Sequence, residues 1–268
     1  MSQGEMALRR ARFGETARRD AWWVQPAVTF TVFSIFVVYA TWAGIQGAYY
    51  HYGPYLSPFY SPELFGESHH RWIDAVKPGW WPGWLLWSPA FFVVPFPIFF
   101  RLTCYYYRGA YYKAFWADPP SCAVGEPRKG YLGENAFPLI LQNVHRYFLI
   151  PALALIVILS YDAWRALWFE NPGTGATQFG IGLGSIILAV NAFLLGAYTL
   201  GCHSLRHLVG GGRDRMSEAP LAMQSWRCVT CLNQRHMMWA WLSLVWVGFT
   251  DLYVRLCAMG IWTDWRIL

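Results

Sequence analysis

Five long apolar stretches, separated by shorter polar segments, dominate the pattern of this 268-residue chain. They cover residues 22–47, 81–102, 137–169, 179–208 and 237–262. At a rise of about 1.5 Å per residue, a helix of any of these lengths crosses the roughly 30 Å of hydrocarbon in a bilayer. The pattern therefore predicts an all-α fold, a polytopic membrane bundle of five transmembrane helices.

The cations between the apolar stretches predict the orientation of this bundle. They are concentrated before the first stretch, after the second and after the fourth, and they are sparse in the alternate segments. The concentrated ones are Arg9, Arg10, Arg12, Arg18, Arg19, Arg108, Lys113, Arg128, Lys129, Arg206, Arg213, Arg215, Arg227 and Arg235. Because positive loops stay inside, we expect a cytoplasmic N-terminus and an external C-terminus. Topology also explains the net charge of +6, so no nucleic acid is needed as a partner.

Composition supports one membrane domain and no soluble domain. Only 13% of the residues are charged, against about 25% in soluble domains. Residues 1–20 have no short apolar core before a cleavage site, so they are expected to form a cytoplasmic tail rather than a signal peptide. Residues 21–268 form the predicted anchor domain. Its segment at about 49–80 is rich in Tyr, Trp, Pro and Gly, which is typical of an ordered external loop at the lipid interface.

Four histidines fall near the predicted cytoplasmic face: His145, His203, His207 and His236. Ligating side chains are costly in lipid, so their convergence from three helices favours a redox centre or a quinone pocket inside the bundle. His203 and His207 are four residues apart and project from one helical face. The alternative is that these imidazoles are structural or face the lipid headgroups.

Three cysteines lie close to these histidines in the predicted topology: Cys104, Cys122 and Cys202. Two thiolates with two imidazoles make a mixed iron–sulfur site, whereas imidazole pairs alone make a b-type haem site. Each cysteine can equally be a small buried apolar residue. A separate CxxC pair, Cys228 and Cys231, leaves zinc binding or redox exchange open.

Donors and aromatic rings at the same depth suit a quinone head group. The candidates for this pocket are Gln142, His145, Arg146, Tyr147, Tyr105 and Trp239.

At the other end of the bundle, Asp162 and Asp251 are either proton-relaying carboxylates or partners of Arg165 and Arg255. No motif indicates hydrolysis or nucleotide binding, and no catalytic residue is assigned.

Three motifs carry a resemblance to a known family: RLTCYYYR at residues 101–108, FPLILQNVHR at 137–146 and GCHSLRHL at 201–208. With residues 52–62 and 233–239, they resemble the single membrane anchor subunit of actinobacterial-type succinate dehydrogenases, which are respiratory complex II. The resemblance covers nearly the whole chain.

This resemblance implies a multi-pass protein of the inner (plasma) membrane that anchors a flavoprotein subunit and an iron–sulfur subunit. Electrons would pass from succinate to a membrane quinone, either menaquinone or ubiquinone, and the dicarboxylate chemistry would lie in the other subunits. The family resembles a holder of a Rieske-type [2Fe–2S] cluster in place of haem. The candidate ligands are Cys104, Cys122 or Cys202 with two of His203, His207, His236 and His145.

Two alternatives remain open from the sequence. The first is a b-type haem anchor, because residues 205–208, LRHL, resemble the Arg-His motif of haem-bearing anchors. In those anchors the axial histidine comes seven residues before the motif's histidine, and here that position is Leu200, which favours the cluster. The second is a transporter or scaffold in which Asp162 and Asp251 carry the substrate or protons.

Overall fold

A computed structural model of the protein describes residues 11–128, 130, 133, 135–137, 139–171, 173–211 and 215–268. Its α-helices are α1 (Val24–Gln46), α2 (Ala90–Val93), α3 (Pro95–Leu102), α4 (Tyr105–Ala110), α5 (His145–Arg165), α6 (Leu183–Leu200), α7 (His203–Gly210), α8 (Pro220–Gln234) and α9 (His236–Ala258). A π-helical turn follows α4 (Tyr111–Phe115), and 3-10 turns precede α5 (Leu139–Val144) and α8 (Met216–Glu218). Two antiparallel hairpins pair β1 (His51–Tyr52) with β2 (Tyr55–Leu56), and β3 (Trp168–Glu170) with β4 (Thr177–Phe179).

Four helical stretches in the described part of the chain are long and apolar enough to cross a membrane. They are Val24–Gln46, Leu139–Arg165, Leu183–Leu200 and His236–Ala258. A fifth span exists if Ala90–Leu102 and Tyr105–Phe115, which are bent by 70°, form one broken span. The mostly helical fold with several membrane spans is confirmed, and the cytoplasmic position of the N-terminus stays a prediction. Arg9, Arg10, Lys129 and Arg213, four of the cations used for that prediction, lie outside the described residues.

Three features differ from the predicted pattern of continuous helices. In the second stretch, residues 81–89 are not helical, and the chain bends again at Thr103 and Cys104. Prolines at positions 89, 95 and 97 explain the irregularity, because proline lacks an N–H and clashes with the preceding turn. The fourth stretch breaks at Gly201 and Cys202, so α7 is a separate helix. The short β3–β4 hairpin joins the end of the third stretch to the start of the fourth, within a fold that is mostly helical.

The chain divides into two compact units. The first comprises Met1–Ile35 and Leu102–Asn143, and the second comprises Phe36–Arg101 and Val144–Leu268. In the first unit, the end of the predicted N-terminal tail is bonded to a later loop: the Thr16 hydroxyl donates to the Ala123 carbonyl at 2.7 Å, and Arg18 Nη1 donates to the Ser121 hydroxyl at 2.8 Å. The division into a tail and an anchor domain stays a prediction.

The second unit is an antiparallel helical core in which α6 packs between α5 and α9. At the start of α6, the Ser185 hydroxyl donates to the Ala166 carbonyl at the end of α5, at 2.5 Å. Further along, Trp246 Nε1 of α9 donates to the Ile187 carbonyl at 3.1 Å. The end of α5, the start of α6 and the end of α9 therefore lie together, and we call this the cap end of the unit. The opposite end, where α5 begins, α6 ends and α9 begins, is the histidine end.

The loop that follows α1 is held down over the cap end by buried polar contacts. The Ser57 hydroxyl donates to Asp251 of α9, and the Ser61 hydroxyl donates to Asp162 of α5. The Tyr55 hydroxyl donates to Asp264 Oδ2 at 2.7 Å. All three loop side chains are at most 1% exposed. We call residues 49–70 the cap loop. The two intramembrane carboxylates therefore have hydroxyl partners, which supports a structural role for them.

A buried ion pair lies beneath the cap loop. Arg255 Nε donates to Asp251 Oδ2 at 2.8 Å, and the two side chains are 1% and 0% exposed. The remaining donors of Arg255 are used as well: Nη1 donates to Gln46 Oε1 at 2.5 Å and to the Ala48 carbonyl at 2.6 Å, and Nη2 donates to the Ala43 carbonyl at 2.7 Å. Every nitrogen of the guanidinium group is bonded, and the end of α1 is fixed to α9.

Replacing one member of this pair is expected to destabilise the fold severely. Arg255→Leu leaves the Asp251 carboxylate buried without its cation, which typically costs about 3–5 kcal/mol. The melting temperature of the purified protein in detergent measures this loss. Arg71→Ala is the matched control, because it breaks an exposed ion pair with Asp74 that is worth about 0–1 kcal/mol. Equal melting temperatures for the two variants would contradict the structural role of the Asp251–Arg255 pair.

Candidate functional site

The histidine end of the second unit contains a buried imidazole beside a buried thiol. His145 Nε2 lies 3.1 Å from Cys202 Sγ, and the two residues are 8% and 1% exposed. His145 is the first residue of α5, and Cys202 lies in the short break between α6 and α7. The break therefore places the Cys202 thiol next to His145 at the start of α5.

Aromatic rings connect this pair to a second buried imidazole. The Phe100 ring stacks on His145 with centroids 4.5 Å apart and meets Tyr198 edge-on at 5.6 Å. Tyr198 in turn stacks on His236, with ring centroids 4.9 Å apart. Phe100, Tyr198 and His236 are each at most 2% exposed. Two imidazoles from different helices thus each stack on one member of the same aromatic pair.

The backbone of Gly201 completes the connection from His236 to Cys202. A methyl group on the Gly201 Cα would lie 3.2 Å from His236 Nδ1 and 3.2 Å from the carbonyl carbon of Leu232. Asn233 Nδ2 donates to the Gly201 carbonyl at 2.8 Å, so the end of α8 holds this turn in place. His145, Phe100, Tyr198, His236 and the 201–202 turn form one closed set of contacts, which we call the histidine ring.

A cation lies beside the histidine ring. The Arg101 guanidinium is 4.6 Å from the centre of the Tyr198 ring. Its Nη1 donates to the Ala240 carbonyl at 3.0 Å, and its Nη2 donates to the Ser243 hydroxyl at 2.9 Å, so α9 fixes its position. Its fixed positive charge therefore lies beside the aromatic ring that stacks on His236.

His203 and His207, by contrast, are exposed. They lie on α7 with their Nε2 atoms 3.0 Å apart, and their side chains do not enter the histidine ring. The sequence placed all four histidines at one depth, and the structure separates a buried pair from an exposed pair. Among the described residues, no group of three or more His, Cys, Asp or Glu side chains is arranged to hold a single metal ion.

The residues predicted to bind a quinone likewise differ in their exposure. Arg146 and Tyr147 are exposed on the first turn of α5, directly after the buried His145. Trp239 is half-buried on the first turn of α9, and its ring meets Phe193 edge-on with centroids 6.1 Å apart. Its Nε1 atom is buried and has no hydrogen-bond acceptor among the described residues.

In the first unit, Gln142 and Tyr105 both contact Arg108. Arg108 Nη1 donates to Gln142 Oε1 at 3.2 Å, and its guanidinium lies 5.6 Å from the centre of the exposed Tyr105 ring. Cys104 is buried at the start of α4. Cys122 is exposed, and its carbonyl accepts a hydrogen bond from Arg18 at 3.0 Å.

In the described part of the chain, the remaining cysteine pair has no third His, Cys, Asp or Glu side chain placed to share a metal ion with it. Cys228 and Cys231 are both exposed on α8, while the intervening Val229 is buried. Because α8 is a regular helix there, the CxxC sequence is not part of a zinc-binding loop.

The sequence analysis also missed Phe100, Tyr198 and Arg101, which surround the buried imidazoles. Arg101 is the first residue of the first motif and Phe100 directly precedes that motif, and this adjacency was the only available signal.

The fold and this site define a multi-pass helical membrane protein that encloses imidazole and thiol groups at one end of its bundle. The family model described as actinobacterial succinate dehydrogenase subunit SdhC matches residues 24–260. A chain of the Mycobacterium smegmatis Sdh1 complex in the apo form is 42% identical, with a TM-score of 0.81 and coverage of 100% of both chains. The comparison with curated proteins gave no match.

The chain therefore belongs to the actinobacterial succinate dehydrogenase subunit SdhC family. It is a membrane subunit of succinate dehydrogenase, an oxidoreductase. This assignment confirms the family inferred from the three sequence motifs, and it argues against the transporter or scaffold alternative.

Two glycines near the end of α6 are expected to respond oppositely to the same substitution. Gly201→Ala places a methyl group 2.8 Å from the Ala197 carbonyl and 3.2 Å from His236 Nδ1, so the turn or the imidazole must shift. Such overpacking typically costs about 1–3 kcal/mol. Gly196→Ala meets only Ile156 Cγ2 at 3.7 Å and gains up to about 1 kcal/mol of helix propensity. Melting temperatures of the two variants measure the difference, and a stabilised Gly201→Ala protein would contradict the close approach.

Proposed function

We propose that this chain delivers electrons from the iron–sulfur subunit of a succinate dehydrogenase to a membrane quinone, and that the histidine ring holds a Rieske-type [2Fe–2S] cluster. The observation that carries the proposal is the buried contact of His145 with Cys202, joined by packed aromatic rings to the buried His236. When bound, such a cluster supplies one-electron transfer at a potential that its imidazole ligands raise.

The donor chemistry of the histidine ring fits this group. A Rieske-type cluster takes two imidazoles on one iron and two thiolates on the other. His145 and His236 are the buried imidazoles at the histidine end of the second unit, and Cys202 is a buried thiol in contact with one of them. Because the four ligands divide between two iron atoms, they need not converge as three or more donors on a single ion. The exposed His203 and His207 are the weaker candidates.

The second thiolate is a prediction from the sequence. Cys104 is 2% exposed, whereas Cys122 is exposed. The sequence does not favour the haem alternative, because Leu200 stands at the position of the axial histidine in haem-bearing anchors.

Trp239 supports a quinone head group at the histidine end. Its indole N–H is buried without an acceptor among the described residues, and such a donor is costly unless something accepts its proton. A quinone carbonyl oxygen is an acceptor of suitable chemistry. Trp239 is only three residues beyond His236 on α9, and Arg146 directly follows His145 on α5. These residues would orient the quinone beside the histidine ring.

The orientation and the partners belong to the same proposal. We infer that the histidine end faces the cytoplasm, since the cation-rich segments flank the ends of the spans that carry these histidines. The similar Mycobacterium smegmatis chain is part of an Sdh complex. By analogy, this chain anchors a flavoprotein and an iron–sulfur subunit at the cytoplasmic side of the plasma membrane.

Electron paramagnetic resonance at low temperature, combined with an optical redox spectrum, tests the proposed ligands. The purified complex is expected to show a signal of low average g value without haem bands. Cys202→Ser, His145→Gln and His236→Gln should each abolish this signal, because each removes a ligand. His203→Ala with His207→Ala should keep it. A signal that survives Cys202→Ser, or bands of reduced haem that disappear with the histidines, would overturn the assignment.

Quinone binding is tested separately by comparing two electron acceptors. Trp239→Phe keeps the ring and removes the N–H, so the apparent KM for quinone should rise about fivefold, corresponding to ~1 kcal/mol for one hydrogen bond. Arg146→Ala should lower quinone reduction as well. Reduction of a soluble dye by succinate should remain in both variants, and Arg165→Ala at the far end of α5 is the control. Equal losses of dye and quinone reduction would contradict the quinone assignment.

A further inference from the structure

The two exposed histidines of α7 are arranged as a chelating pair. His203 and His207 are one helical turn apart, and their Nε2 atoms lie 3.0 Å from each other. Two nitrogens bound to one Zn²⁺ at about 2.0–2.1 Å are about 3.3 Å apart at a tetrahedral angle and about 2.9 Å apart at a right angle. The observed separation falls within this range, so both imidazoles can bind one ion with little movement.

We propose that His203 and His207 bind a divalent transition-metal ion such as Zn²⁺ or Ni²⁺, at a site separate from the histidine ring. Imidazole is a preferred ligand of these ions, and water molecules fill the positions that the protein leaves open. Both side chains are exposed on this chain, which leaves room for water ligands on the bound ion.

Neighbouring residues fix the position of the pair on α7. Arg206, the one positive residue between the two histidines, is directed towards α8: its Nε donates to the Thr230 hydroxyl at 3.1 Å, and its guanidinium lies 4.9 Å from the centre of the Trp226 ring. Leu205 is buried against the bundle and fixes the rotation of α7 about its axis.

Equilibrium dialysis of the purified complex against Ni²⁺ alone, followed by metal analysis, tests this site. Ni²⁺ is chosen because it prefers imidazole, whereas the exposed thiols Cys122, Cys228 and Cys231 compete more strongly for Zn²⁺. The wild-type complex should bind one more Ni²⁺ ion per chain than His207→Gln. Losing a residue that merely supports a metal ligand typically weakens binding by roughly 10- to 100-fold. Losing one of the two imidazole ligands should weaken Ni²⁺ binding by at least as much.

Two control variants test whether the spacing of the two imidazoles, rather than the number of possible ligands, determines Ni²⁺ binding. The double variant His207→Gln with Leu208→His keeps the number of imidazoles but moves one from position i+4 to i+5, off the shared face, and it should also lose the ion. Cys228→Ser with Cys231→Ser should keep it. The iron–sulfur signal of the complex should persist in every variant and report that the fold is intact.

Three outcomes would overturn the proposal. They are the absence of a bound Ni²⁺ ion in the wild-type complex, equal Ni²⁺ binding by the wild type and His207→Gln, and full binding by the register-shifted variant. Loss of the iron–sulfur signal in His207→Gln would also overturn it, because His207 would then be a cluster ligand. That last result would contradict the ligand set proposed above, whereas the first three would leave it intact.

Discussion

The buried ion pair between Asp251 and Arg255 is the interaction on which the arrangement of the second unit depends. Removing two charges from water costs several kcal/mol per ion, and their mutual attraction offsets this only if the remaining donors and acceptors are also bonded. Here Arg255 additionally binds Gln46 and the carbonyls of Ala43 and Ala48, while Asp251 accepts from Tyr39 and Ser57. The pair therefore joins α1, the cap loop and α9 in one network.

The two ends of the second unit differ in the kind of polar group that they bury. At the cap end, carboxylates and a guanidinium are matched by hydroxyls and carbonyls, so this network stabilises and fixes geometry. At the histidine end, the buried groups are imidazoles and a thiol packed by aromatic rings, with Arg101 beside them. Groups of this second kind are ligands as well as structural elements. A rigid cap end and a ligand-bearing histidine end together suit a subunit that holds a redox group at a constant position.

Much of the fold could be predicted because length and hydropathy alone define a membrane span. The breaks within spans were harder to predict. Gly201 and Cys202 lie in an apolar stretch that continues to Leu208, and hydropathy does not change where α6 ends. A helix in lipid is apolar on all sides, so its sequence lacks the periodicity that separates the core face from the exposed face in a soluble protein.

The same limit applies to the candidate site. All members of the histidine ring that bear ligand atoms, His145, Cys202 and His236, were named from the sequence. Their separation from His203 and His207 was not predicted, because it depends on the break at residue 201, which starts a new helix and turns α7 outwards. Phe100 and Tyr198 were missed because an aromatic residue beside an imidazole looks the same in a sequence as an aromatic residue facing lipid.

The C-terminal residues also have a role in the order of assembly. Asp264 Oδ1 accepts hydrogen bonds from the Gly184 N–H at 2.9 Å and the Tyr253 hydroxyl at 2.6 Å, and its Oδ2 accepts from Tyr55 of the cap loop at 2.7 Å. Ile181 N–H donates to the carbonyl of Leu268, the last residue, at 3.0 Å. The cap loop is made early in translation, well before its partners on α9 and at residues 264–268. The loop therefore lacks these partners until α9 has entered the membrane. A nascent chain that stops before Asp251 cannot form the hydrogen bonds that hold the loop in place.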